Sequence, residues 1–273
     1  MAGRSWTPGH LRNRGNVSGN PSPRVVDLIG SSMEAIVMAI PEVASRTGRR
    51  VIIVGGLAVI CRLSTPYRAT TDLDTVNRRR QGEPAQLEVL LASPGATASG
   101  PAGALVPTAA GPVQVDVLEV SDTDLSPLPD DPTDRLHVLS HDWAAASATE
   151  VIICAGVRAG DAVSVEVRVA VAEPGPLVAM KLQSAMNRGR AKEATDLLDI
   201  VRLTLDPVTG PVVREQLAGA SKRIRVDADR HAKLWFTDKA ARTGRLVREL
   251  PQGTDIDPDL IALVSQLLRG ALS

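Results

Sequence analysis

The chain has 273 residues, with 31 Lys plus Arg against 31 Asp plus Glu, 44% hydrophobic residues and only 2% aromatic ones. That length allows one large domain or two, and the balanced charge excludes indiscriminate attraction of the whole molecule to nucleic acid. No stretch reaches the ~18 uninterrupted apolar residues of a membrane span and no apolar secretion segment opens the chain, so a cytoplasmic protein without a membrane partner is expected.

Residues 1–24 are rich in Gly, Pro, Ser, Asn and Arg, with little to bury, and read as a flexible tail. From Val25 to Ile40 the apolar residues follow helical spacing until Pro41 interrupts it, so a helix is expected there. Residues 51–54 are β-branched and end at Gly55 and Gly56, after which 57–63 read as a short apolar helix containing Cys61. Cys61 and Cys154 lie far apart in apolar contexts and are expected to be buried thiols. Residues 71–76 alternate as a strand, with Arg78, Arg79 and Arg80 solvated beyond it. A helix is expected over 84–91, no assignment over 92–103, a strand over 113–120, a helix over 134–149 and a hairpin over 151–171 turning near Gly160. Pro174 then closes the strand-rich part. Helical spacing returns over 177–187, 193–205, 212–217, 228–250 and 258–272, the last with Asp257 as N-cap before Pro258. The expected class is α+β, with a mixed-sheet lobe over residues 25–175 and a helical lobe over 176–273.

Asp72 and Asp74 are one residue apart, so a strand projects both carboxylates to one side while Leu73 points into the core. Hard, closely held carboxylates suit Mg²⁺, although an isolated D-x-D also reads as a solvated strand end. Asp116 sits mid-strand, where a carboxylate needs a partner, with Val113, Val115 and Val117 on the other face. Glu119 shares the valine parity and reads as an edge or surface residue. Gly55 and Gly56 at a helix start would bring backbone N–H groups to a phosphate. Three carboxylates beside such a turn fit two Mg²⁺ ions ~4 Å apart, with in-line transfer of a nucleotidyl group from an NTP, Asp116 serving the acceptor hydroxyl. Lys181, inside an apolar helix face, suits the β- and γ-phosphates, and Asp196 would fix Lys181 or a substrate hydroxyl. The plainer alternative is a snorkelling lysine with Asp196 and Asp199 on a solvated face.

The G-G pair, R-A-T-T-D-L-D-T-V, the strand Asp, M-K-L-Q-S-A and K-E-A-T-D-L-L-D-I, in that order, resemble the AbiEii-type nucleotidyltransferase toxins of bacterial toxin and antitoxin systems. The motifs span about residues 51–200, and 84–111 match nothing. The resemblance implies a polymerase-β-like nucleotidyltransferase fold with Gly55 and Gly56 at phosphate, Asp72 and Asp74 on metal, Lys181 on nucleotide and Asp196 completing the site. Leu57 stands where many such enzymes carry Ser, so Thr70 or Thr71 would supply the hydroxyl. It further implies an RNA acceptor, the 3′ end of tRNA foremost, inhibition of translation and a separate antitoxin protein. A basic surface for RNA would come from Arg188, Arg190, Lys192, Lys222, Arg223, Arg225, Arg230, Lys233, Lys239, Arg242, Arg245 and Arg248, which also read as solvated helix faces. Two alternatives stand beside this. The acceptor would be a small molecule such as an aminoglycoside, or a protein hydroxyl; or the fold would serve as a binding module without catalysis.

Overall fold

The computed structural model describes residues 23–159, 162–186 and 189–273. The expected tail lies outside the described residues except at Pro23 and Arg24, as do the turn at Gly160, the helix end at Asn187 and the basic Arg188.

The first strand, β1 (Arg24–Ile29), occupies sequence that predicts a helix. Val26 and Leu28 alternate into the core, and β1 pairs in parallel with the distant β7 (Thr149–Ala159), a partner that local spacing cannot reveal. Helix α1 (Glu34–Thr47) follows and contains Pro41 instead of stopping at it. An internal proline costs ~3 kcal/mol. Burial of Ile36, Val37, Ile40 and Val43, each contributing ~1.5–3 kcal/mol, outweighs that cost.

The next two elements begin where the glycine pair is. β2 (Ile52–Ile53) is short, and α2 (Gly55–Arg62) starts at Gly55 itself. β3 (Asp72–Arg79) runs past its expected end, and Arg78 and Arg79, expected to be solvated, are half-buried and ion-paired. Arg78 reaches Asp142 at 2.8 Å and Asp122 at 2.6 Å, while Arg79 reaches Glu119 at 3.0 Å. Glu119 in turn accepts from Asn77 Nδ2 at 2.7 Å and from the Gln86 amide at 2.9 Å, so it ties β3 to α3 (Gln86–Leu91) and is no plain surface residue. The unassigned stretch 92–103 holds β4 (Thr97–Ala98), and Gly103 opens β5 (Gly103–Thr108); runs of small residues leave no periodicity to read.

β6 (Gly111–Ser121), α5 (Pro132–Ser147) and the hairpin of β7 with β8 (Ala162–Val171) fall where the pattern puts them. A short α4 (Asp122–Leu125) joins β6 to α5. Pro174 is the first residue of α6 (Pro174–Ser184), where its missing N–H leaves no helical bond unmade. α7 (Arg190–Leu205), α8 (Thr209–Gly219) and α11 (Pro258–Leu272) match expectation, and Asp257 caps α11 by accepting from Leu260 N at 2.8 Å. The single helix expected over 228–250 is divided into α9 (Lys222–Lys233), a π-helical turn (Leu234–Asp238) and α10 (Ala240–Arg248). The wider turn buries Trp235 and Phe236 side by side in sequence, and Thr243 Oγ1 donates to the Trp235 carbonyl at 2.7 Å.

The strands form one mixed eight-stranded sheet in the order β1-β7-β8-β2-β3-β6-β5-β4. At its centre β2 runs antiparallel to β3, and β3 runs parallel to β6. Helices are interspersed with strands up to β8 and continue alone after it, and α6 packs against α5, α7 and α8. One apolar cluster runs from Val26 of β1 through the sheet and α6 to Leu272 of α11. Cys61 and Cys154 are buried free thiols, and burial pushes the Cys61 thiol up to about 12. Among the described residues no helix is long and apolar enough to cross a membrane.

Candidate functional site

The parallel pairing of β3 and β6 sets Asp74 directly beside Asp116, while Asp72 is level with Gln114. Because side chains alternate along each strand, Asp72, Asp74, Gln114 and Asp116 all leave the same face of the sheet. One carboxylate oxygen from each of Asp72, Asp74 and Asp116 lies within 4.8 Å of the others, and all three residues are half-buried. Three carboxylates at that spacing could hold a hard divalent cation through oxygen ligands.

The turn between β2 and α2 is shaped around this cluster. Gly55 adopts φ +62°, and a Cβ there would stand 1.8 Å from Asp74 Oδ2. Only glycine combines the left-handed backbone with the space that Asp74 fills. The Gly56 amide points to Asp74 Oδ2 at 3.4 Å, so in this structure the glycine pair, which the sequence assigns to phosphate, seats a carboxylate. Thr70 is buried and its hydroxyl donates to Asp72 Oδ1 at 2.8 Å, whereas Thr71 is exposed. On the far side Gln114 Nε2 donates to Asp116 Oδ1 at 3.0 Å.

Lys181, on α6, faces α7. Its ammonium lies 2.6 Å from Asp196 Oδ1 and 2.7 Å from Asp199 Oδ2, and Ser184 Oγ donates to the other Asp196 oxygen at 2.8 Å. Both aspartates are buried, Asp199 completely, so the solvated-face alternative for them does not hold. Asp199 also takes a two-pronged contact from Arg68, at 3.0 Å from Nε and 2.8 Å from Nη2, and accepts from the Tyr67 hydroxyl. Burial alone would depress the Lys181 ammonium, but Asp196 and Asp199 outweigh it and hold its pKa above the usual lysine value. Burial likewise pushes the Asp199 carboxyl up, and Lys181 and Arg68 overcome that and hold it below the usual carboxylate range.

A cavity of about 220 Å³ joins these parts, lined by Gly56, Arg68, Thr70, Thr71, Asp72, Asp74, Lys181, Lys192 and Asp196. The structure thus brings together residues from four separate sequence motifs, and Asp116 completes the carboxylate cluster with Asp72 and Asp74. The larger depression of about 600 Å³, around Leu128, Arg135, Lys222 and Val226, contains no such cluster. Four contributors escaped the sequence reading. Asp199 is three residues after Asp196 on one helix and Gln114 two before Asp116 on one strand, so spacing marks both; Arg68 opens the R-A-T-T-D-L-D-T-V motif, and Tyr67 carries no such signal.

Lys192 lines the cavity, Arg190, Arg242 and Arg245 line a second cleft, Lys222 and Arg223 a third, and Arg230 and Lys233 a fourth. Arg225 reaches the Ser273 carbonyl at 2.9 Å, Arg248 the Ile256 carbonyl at 3.2 Å, and Lys239 lies 4.8 Å from the centre of the Trp235 ring. A scan against protein-family models gives no match, and a search of curated proteins gives none either.

Proposed function

We propose that this chain is a Mg²⁺-dependent nucleotidyltransferase that moves a nucleoside monophosphate from an NTP onto an acceptor hydroxyl and releases pyrophosphate. The observation that carries this reading is the convergence of Asp72, Asp74 and Asp116 beside a cavity that also contains the glycine turn and the Lys181–Asp196 pair. The donor set fits the metal: half-buried carboxylates only, with one oxygen of Asp72 held by Thr70 and one of Asp116 by Gln114. Bound Mg²⁺ would neutralise the triphosphate and acidify the acceptor hydroxyl.

The chain's own residues account for the remainder. Asp72 and Asp74 would hold the cations, and Asp116 would complete that cluster or take the acceptor proton directly. Lys181 has three N–H donors; two face Asp196 and Asp199, which leaves one for a phosphate oxygen. Lys192, exposed on the first turn of α7, lines the same cavity and offers a second cation to phosphate. The helical lobe over 176–273 follows from the strands-then-helices order of the sequence, and the polymerase-β-like character of the strand-rich lobe and an RNA acceptor, the 3′ end of tRNA first, follow from the motif resemblance. Inhibition of translation and a cognate antitoxin protein follow from the resemblance too.

The test incubates purified protein with each labelled NTP, Mg²⁺ and total RNA, alongside Asp72→Ala. Label is expected on RNA with wild type and only background with the variant. Parallel aminoglycoside and protein substrates identify a different acceptor. No labelling of any acceptor, or equal labelling by Asp72→Ala, overturns the assignment.

A further inference from the structure

Asp116 is the carboxylate of the cluster whose environment comes from outside the motifs that carry the functional reading. Gln114, on the same strand face, donates from Nε2 to Asp116 Oδ1 at 3.0 Å. The other end of that amide, Gln114 Oε1, accepts from Ser99 Oγ at 3.3 Å. The hydroxyl and the carboxylate together fix which way round the amide stands, since the opposite orientation would set its oxygen against a carboxylate. Across the sheet, Gly103 of β5 is the antiparallel partner of Asp116, and a Cβ at Gly103 would lie 2.5 Å from Asp116 Oδ1. The β4–β5 segment, which no motif marks, therefore supplies both the gap that Asp116 fills and the hydroxyl that steadies its hydrogen-bond donor.

We propose that Gln114 is a positioning residue for divalent-cation binding. It holds one oxygen of Asp116, is itself oriented by Ser99, and so keeps the carboxylate turned to Asp72 and Asp74. The inference rests on the metal-dependent reading of the carboxylate cluster. Groups that orient metal ligands typically change metal affinity by ~10–100-fold when removed. Ser99, acting only through Gln114, has the smaller effect.

Mn²⁺ titration by calorimetry, without nucleotide, tests this on wild type, Gln114→Leu, Ser99→Ala, the double variant and Asp74→Ala, with thermal denaturation of each. Gln114→Leu keeps the side chain's bulk and removes its donor. The expected result is ~10-fold or more weaker Mn²⁺ binding by Gln114→Leu, a smaller loss for Ser99→Ala, and no further loss in the double variant, with melting temperatures near wild type. Wild-type affinity in a folded Gln114→Leu overturns the proposal while leaving the metal reading intact. A Ser99→Ala loss that adds fully to that of Gln114→Leu overturns the coupling. If wild type binds Mn²⁺ no better than Asp74→Ala does, the metal reading itself fails. Should Gln114→Leu not fold, Ser99→Ala and Gln114→Ala carry the same comparison.

Discussion

Asp199 is the residue on which the buried side of the cavity depends. It is fully enclosed and is shared between Lys181 and the Arg68 guanidinium. Removing one partner from a buried charge network leaves the others uncompensated and costs ~3–5 kcal/mol. Asp199→Asn is expected to lose that much stability in urea denaturation at neutral pH. The sign with pH follows from the direction of the shift. The folded-state carboxyl lies below its unfolded value of ~3.9, so its contribution is complete above that value and is lost as pH falls through the folded one. Lys181 is shifted the other way, so its contribution is complete below ~10.4 and fades as pH rises through the higher folded value. The stability gap between wild type and Asp199→Asn should thus hold steady near neutral pH and shrink below pH ~4. A gap that widens on acidification contradicts the network's assignment.

At the level of elements, the turn from β2 into α2 and the turn after α1 pose one backbone problem with different surroundings. Gly48, which ends α1, has φ +64° and nothing within 4 Å of a built Cβ, whereas Gly55 has φ +62° and the Asp74 carboxylate in the way. Gly48→Ala is expected to cost ~1–2 kcal/mol from the left-handed backbone alone, with Mn²⁺ affinity unchanged. Gly55→Ala bears the same strain, displaces Asp74 and should weaken Mn²⁺ binding as well. Thermal denaturation and Mn²⁺ titration of both variants separate the two effects, and a Gly55→Ala that binds Mn²⁺ like wild type removes the glycine turn from the site. The glycine pair was legible in the sequence as a turn at a helix start. That it packs against Asp74 was not, because Asp74 reaches it only through the antiparallel pairing of β2 with β3.

For the whole molecule, 31 basic and 31 acidic side chains cancel, so attraction of a polyanionic nucleotide must be local. The site itself is acidic: Asp72, Asp74, Asp116, Asp196 and Asp199 face Arg68, Lys181 and Lys192, five carboxylates against three cations. NTP is therefore expected to bind measurably only with Mg²⁺ or Mn²⁺ present and to be released by EDTA. Calorimetry with and without the cation decides this, and equal NTP affinity in its absence rules the arrangement out. Local rules in the sequence were enough for the shared face of Asp72 and Asp74, the strand around Asp116, the hairpin, most helices and the Asp257 cap, because residue spacing and capping chemistry act over a few positions. The tertiary structure alone decided that β1 is a strand, that Asp74 stands beside Asp116, that Asp199 is buried and that Gly103 opposite Asp116 must lack a side chain. Each of these depends on sheet register or helix packing between segments far apart in the chain, where no local periodicity reaches.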